Sequence, residues 1–222
     1  MLGVLYDIHG NLPALEATLA DAESLPIDRW LLGGDYGTPS PWPLETLALL
    51  RELPHATWIR GNGERWLFEP PTDRPDLTAI FERLEPGLPE DELRGLFALP
   101  ERAELDGILY VHGSPLSDVE SFAPQPEDGE ERLLDGVRDR TIVFGHSHQQ
   151  FRRAGPNGTD LVNPGSVGMP LDGDPRAAWA TWEGDFAFRR VEYDAERAAA
   201  AFRALDAEVG PFFADRIRRG SD

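Results

Sequence analysis

Short apolar and β-branched runs bounded by turn residues recur along the first two thirds of the chain, at Leu2–Tyr6, Trp30–Gly33, Thr57–Arg60, Ile108–Val111 and Thr141–Phe144. Such runs predict β-strands. Between the first three, PALEATLADAES opens at Pro13 and PLETLALLREL at Pro43, each with apolar residues at helical spacing behind a proline in the first turn. The resulting β-α-β-α-β order predicts a parallel sheet with right-handed crossovers.

Residues 64–105 read as a helical insertion, clearest in DLTAIFERLE and PEDELRGLFAL. The stretch Ser114–Glu131, rich in Ser, Pro, Asp and Glu, reads as an exposed loop or lid. Beyond His148, shorter strands are expected near Asp160–Val162, Ala178–Trp182 and Phe186–Tyr193. The last two form a hairpin about Glu183-Gly184-Asp185, and DAERAAAAFRALDAE closes the chain as a helix.

At 222 residues the chain suits one domain with a sizeable core, spanning 1–222. Its 41% hydrophobic and 27% charged residues are ordinary for a globular protein. The apolar runs fall far short of the roughly 20 residues a membrane span needs, so no membrane is expected as a partner. The opening MLGVLYDIHGN has no basic segment before its apolar run, which predicts a cytoplasmic protein.

The net charge of −19 repels polyanions and speaks against long nucleic acid as a partner. All 21 basic residues are arginine, which excludes a lysine Schiff base or nucleophile. The absence of cysteine excludes disulfides, thiolate metal sites and cysteine nucleophiles, so any metal must be held by His, Asp, Glu or Asn.

His9, His112, His146 and His148 lie at or just beyond predicted strand ends, as do Asp7, Asp35 and Asn62. In open α/β sheets, functional groups collect outside the carboxyl ends of the strands, so these seven side chains are expected to share one site. Imidazoles mixed with carboxylate and amide oxygens suit Mn, Fe, Zn, Co or Ni better than Ca or Mg. Seven donors exceed the needs of one ion. Two ions about 3.5–4 Å apart, bridged by a carboxylate, would use them and constitute a hydrolytic centre.

Together D-I-H-G-N at Asp7–Asn11, G-G-D at Gly33–Asp35, R-G-N at Arg60–Asn62, V-H-G at Val111–Gly113 and G-H-S-H at Gly145–His148 resemble the signature of calcineurin-like metallophosphoesterases. N-P-G-S-V from Asn163 resembles the stretch that follows in small bacterial phosphodiesterase-like members. The resemblance implies a four-layer α/β/β/α sandwich of two mixed sheets. It assigns Asp7, His9 and His148 to a first metal, Asn62, His112 and His146 to a second, and Asp35 to the bridge. Asp35, Asn62 and His112 are the expected catalytic residues. The cofactor expected is a pair of divalent or trivalent transition-metal ions, Mn first, with Fe, Zn, Ni or Co as alternatives.

Larger members have histidine where this chain has Gly63, so a proton donor to the leaving group is missing, as it is in the small bacterial branch. The expected activity is hydrolysis of a small nucleotide-like phosphodiester by a hydroxide bridging the metals. Protein serine/threonine phosphatase, dinucleotide polyphosphate hydrolase and non-catalytic scaffold of the same fold are the alternatives.

Blander roles stand beside these. Asp35 and Asn62 suit turns, Glu64 suits a helix start, Arg60 suits an ion pair, and Trp42, Trp58, Trp66 and Phe68 suit a core. His55 is expected to have no role.

Overall fold

The computed structural model describes residues 1–38, 40–72, 78–80 and 87–221. In chain order its first elements are β1 (Leu2–Leu5), α1 (Leu12–Ala22), β2 (Arg29–Leu32), α2 (Pro43–Arg51), β3 (Ala56–Trp58), α3 (Asn62–Trp66) and α4 (Glu90–Phe97). There follow β4 (Arg102–Leu105), β5 (Ile108–Val111), β6 (Thr141–Val143), β7 (Gln150–Ala154), β8 (Asp160–Pro164), β9 (Ala177–Trp182) and β10 (Phe186–Val191). Helices α5 (Ala195–Leu205) and α6 (Gly210–Arg219) complete the described chain.

Two mixed five-stranded sheets result, ordered β10-β9-β1-β2-β3 and β4-β5-β6-β8-β7. β1, β2 and β3 run parallel, as their crossover helices require, while β9 joins β1 antiparallel. In the second sheet β5, β6 and β8 are parallel and β4 and β7 are antiparallel edges.

Side-chain alternation along β1 ties the layers together. Leu2, Val4 and Tyr6 meet Tyr110, Val143 and Val162 of the second sheet in a core between the sheets. Leu5 faces the other way and packs with Leu15 of α1 and Leu47 and Leu50 of α2. Burial on both faces is why these strands read as unbroken apolar runs. The outer face of the second sheet, through Leu109, Ile142, Phe144 and Leu161, is covered by Phe122, Leu133 and Leu134. That cover carries a 3-10 turn at Glu130–Leu134.

Three expectations need correction. Residues 102–105, read as the end of the helical stretch 64–105, form β4, paired with β5 from Arg102↔Val111 to Leu105↔Ile108. Asp106 and Gly107 make the tight turn with φ of 53° and 80°, so an Asp-Gly hairpin signal was present in the sequence. β7 adds a strand where none was expected, and α6 a second closing helix behind Pro211. The 114–131 stretch is the expected loop, exposed at 124–129, and it is pinned at points: Pro115 and Phe122 are buried, and Arg153 donates to both carboxylate oxygens of buried Glu130, at 2.9 and 2.5 Å.

The expected helix DLTAIFERLE lies outside the described residues except for 78–80, whereas PEDELRGLFAL forms α4. The Glu183-Gly184-Asp185 hairpin forms, with Trp182 opposite Phe186. Among the described residues no helix is long and apolar enough to cross a membrane.

Candidate metal centre

All seven side chains expected to share a site do so, at the carboxyl ends of β1, β2, β3, β5 and β6, and six of them are buried. His55 stands apart and exposed. Five of the seven, Asp7, His9, Asp35, His146 and His148, have left-handed backbones with φ between 46° and 61°. Each such residue costs about 1–3 kcal/mol unless its surroundings hold it, a cost that clusters at functional sites. Here the holding contacts are explicit. His9 N donates to Asp35 O at 2.8 Å, Asp7 N to Gly34 O at 3.2 Å and Gly168 N to Asp7 O at 3.1 Å.

One group of acceptors gathers around His9 and His148. Their Nε2 atoms are 3.1 Å apart. Each Nδ1 faces a backbone carbonyl, Thr38 O at 2.7 Å and Met169 O at 2.6 Å, and must therefore carry the proton. Burial lowers the pKa of both rings, so they are neutral and two bare nitrogen lone pairs point at each other. Asp7 Oδ1 lies 3.5 Å from His148 Nε2 and is buried without a hydrogen-bond partner among the described residues. Its other oxygen accepts from His146 N at 3.0 Å.

A second group gathers around His112, whose Nδ1 donates to Gly33 O at 2.8 Å. Its Nε2 is 3.0 Å from Asn62 Oδ1, which is itself 2.8 Å from His146 Nδ1. Turning the Asn62 amide over would let its nitrogen donate to both rings. With the oxygen inward, three acceptors converge, the arrangement a cation requires. Burial lowers the His146 pKa to about 4, with His112 contributing.

Asp35 joins the groups. Its Oδ2 is 3.7 Å from His9 Nε2 and 3.5 Å from His112 Nε2. Its Oδ1 accepts from Gly63 N at 2.7 Å, which fixes the carboxylate's rotation. Burial opposes its ionisation, but His112, His9 and the Gly63 N–H hold its pKa well below the usual range. Asp7, by contrast, is raised by burial. Burial alone would lower His112, yet Asp35 and Asp7 beside it push it to about 10. In the metal-free protein the proton of His112 thus occupies the place of a cation.

The donors fit metal ions. Asp7, His9 and His148 offer ligand atoms within 4.8 Å of one another, and so do Asp7, Asp35 and His112. Asn62 and His146 extend the second set. Divalent transition metals accept such mixed nitrogen and oxygen ligands.

Glu64 is fully enclosed behind this shell. Its carboxylate accepts from Asp35 N at 2.9 Å, Tyr36 N at 2.8 Å and Gly61 N at 2.9 Å, clamping the loop after β2 to the start of α3. Burial and Asp35 raise its pKa to about 6. Arg60 is structural, donating to Phe97 O at 2.8 Å and Glu101 at 2.7 Å. Trp58 packs edge-on against Tyr36, but Phe68 is 39% exposed and does not belong to the core.

Two glycines admit the close approach of these loops. Gly34 has φ +97°, and a Cβ there would fall 2.8 Å from His112 Nδ1. At Gly63 a Cβ would meet Asp35 Oδ1 at 2.9 Å and Thr38 Oγ1 at 3.2 Å.

The carbonyls of Thr38, Met169 and Gly33, which set the imidazole tautomers, escaped sequence reasoning because any residue supplies a carbonyl. The N-P-G-S-V stretch was a usable signal. Ser166 Oγ donates to Asp7 O at 2.6 Å, and Asn163 Nδ2 to Gly145 O at 3.0 Å, so these residues support the ligand loops.

Donor side chains gathered at strand ends on a sandwich of two mixed sheets are the setting in which the family comparison places this chain. The model of the calcineurin-like phosphoesterase superfamily domain matches residues 1–185, and the chain belongs to that superfamily. It is 28% identical to the uncharacterized protein MJ0912 of Methanocaldococcus jannaschii, over 89% of this chain and 90% of that one. A crystal structure of a metallophosphoesterase from Sphaerobacter thermophilus superposes with a TM-score of 0.78 at 26% identity, covering 99% of both chains. A phosphoesterase from E. coli matches with a TM-score of 0.54 at 18% identity, covering 86% of this chain and 99% of that one, a likeness of fold.

Proposed function

We propose that this protein is a dinuclear metal-dependent phosphodiesterase acting on a small nucleotide-like ester, in the cytoplasm. The observation that carries the reading is the pair of donor groups sharing Asp35 Oδ2, in which His9, His112 and His148 each turn Nε2 inward and Nδ1 outward onto a backbone carbonyl. Two transition-metal ions, manganese foremost, would supply charge neutralisation at the phosphoryl oxygens and a water of lowered pKa when bound.

The protein's own residues hold the geometry. Asp7, His9 and His148 would grip one ion, and Asn62, His112 and His146 the other. Asp35 lies between the two groups of side chains with its rotation fixed by Gly63 N, and Asn62 is presented from the first turn of α3. Complete donor sets favour catalysis over a scaffold role.

No imidazole stands at position 63 to protonate a leaving group. Aryl phosphodiesters with low-pKa leaving groups are therefore expected to be cleaved far faster than alkyl ones. Introducing histidine there is a poor test, since its Cβ would press on Asp35. The direct experiment measures bound metal and turnover of bis(4-nitrophenyl) phosphate by protein loaded with manganese. Metal-dependent turnover is expected. Bound metal without turnover of any phosphoester would overturn the reading.

A further inference from the structure

Beside the second acceptor group lies a cavity of about 240 Å³, bounded by Arg65 of α3, Glu101 and Arg102 at the start of β4, and the turn after β5. His112 and Asp118 connect it to the centre. His112 lines the cavity and offers its Nε2 to the acceptor group, and Asp118 O lies 3.2 Å from the Asn62 amide.

The cavity wall carries two guanidinium groups, Arg65 and Arg102, and two carboxylates, Asp118 and Glu101. Asp118 is held by Arg65 through two hydrogen bonds of 2.7 and 2.8 Å. Glu101 is held from behind by Arg60 at 2.7 Å. Arg102 has no carboxylate within 4.0 Å among the described residues, and its Nη2 donates to Pro115 O at 3.4 Å. With Asp118 paired to Arg65 and Glu101 paired to Arg60, Arg102 is the guanidinium of the wall left without a direct carboxylate contact among the described residues, Glu104 feeling its charge from a longer range. Its floor is polar. Ser114 Oγ is buried and exchanges 3.2 Å hydrogen bonds with the backbone of Ser117, which fixes the turn beneath the arginine.

Building on the phosphoesterase reading, we infer that this cavity is a specificity subsite in which Arg102 binds a second anionic group of the substrate, a phosphate or carboxylate remote from the scissile bond. A guanidinium matches a planar or tetrahedral oxyanion through paired N–H donors, and the spent pairs around Asp118 and Glu101 leave Arg102 free to serve. The preferred substrates are thus esters bearing an additional negative charge, such as nucleotides with a second phosphate, rather than singly charged diesters.

Two substrates sharing one scissile bond test this. The 4-nitrophenyl ester of thymidine 5′-phosphate and the same compound bearing a 3′-phosphate release the same phenolate. The wild type is expected to favour the second by about tenfold in kcat/KM, the value of a charge-assisted contact. Arg102→Ala is expected to bring the ratio to about one, mainly through KM, and Arg102→Lys to restore part of it. Arg197→Ala, outside the cavity, is expected to leave the ratio at the wild-type value. In equilibrium dialysis without metal, thymidine 3′,5′-bisphosphate is expected to bind wild type more tightly than Arg102→Ala.

An unchanged ratio in Arg102→Ala, or no wild-type preference, would overturn the subsite. Absence of turnover of both esters by metal-loaded wild type would instead overturn the phosphoesterase reading, and the dialysis comparison would still decide the subsite.

Discussion

The two acceptor groups that share Asp35 are made of the same kinds of residue, yet they rest in different charge states. Around His9 and His148 the rings are neutral, because burial opposes charge and each Nδ1 proton is committed to a carbonyl. Around His112 a proton is retained, because Asp35 at 3.5 Å and Asp7 at 3.8 Å outweigh burial. The first group sets two bare imidazole nitrogens beside Asp7, whose carboxyl burial pushes up to about 8. The second holds itself together with a proton that an ion must displace.

Removing what both groups share should have the largest effect. Asp35→Asn is expected to lower kcat by about a thousandfold, comparable with losing a principal charge-stabilising contact, and to lower the metal content of both groups together. Kinetics with metal analysis checks this, and loss of one ion alone would separate the groups more sharply than proposed.

The next effect distinguishes them. Filling the centre at neutral pH should release the proton held by His112 and the one that burial leaves on Asp7, whereas the imidazoles of His9 and His148 release none. Titrating metal into the protein in a pH-stat reads this directly. The same contrast appears in stability. His112 is raised from 6.5 to about 10 in the folded metal-free protein, so its contribution is fully present below pH 6.5 and lost as pH rises through about 10. Metal-free protein should therefore lose stability in alkali, and metal should abolish that loss. Thermal melts from pH 7 to 10, with and without metal, check the sign.

A smaller effect is expected at Glu64, which supports both groups through the backbone of Asp35 and Gly61. Glu64→Gln keeps the size but loses an acceptor for one of three N–H donors. A loss of metal affinity of roughly tenfold or more is expected by calorimetry, with the fold intact.

What the sequence disclosed follows the same division between side chain and backbone. β1, β2, β5 and β6 were legible because burial on both sides makes unbroken apolar runs such as LGVL and ILYV. β4 and β7, RAEL and QFRRA, are edge strands with exposed charged positions, so they carry no such run. All seven ligand-type side chains were legible because their identity is their chemistry. The carbonyls that fix the tautomers, and the pairing that leaves Arg102 without a direct carboxylate contact, exist only once distant segments meet.

The central claim is that two ions share Asp35. Anomalous diffraction from crystals of manganese-loaded protein tests it most directly. Two peaks about 3.5–4 Å apart are expected, one beside His9 and His148 and the other beside Asn62, His112 and His146, with an Asp35 oxygen between them. A single peak, or two peaks too far apart to share that carboxylate, would contradict it.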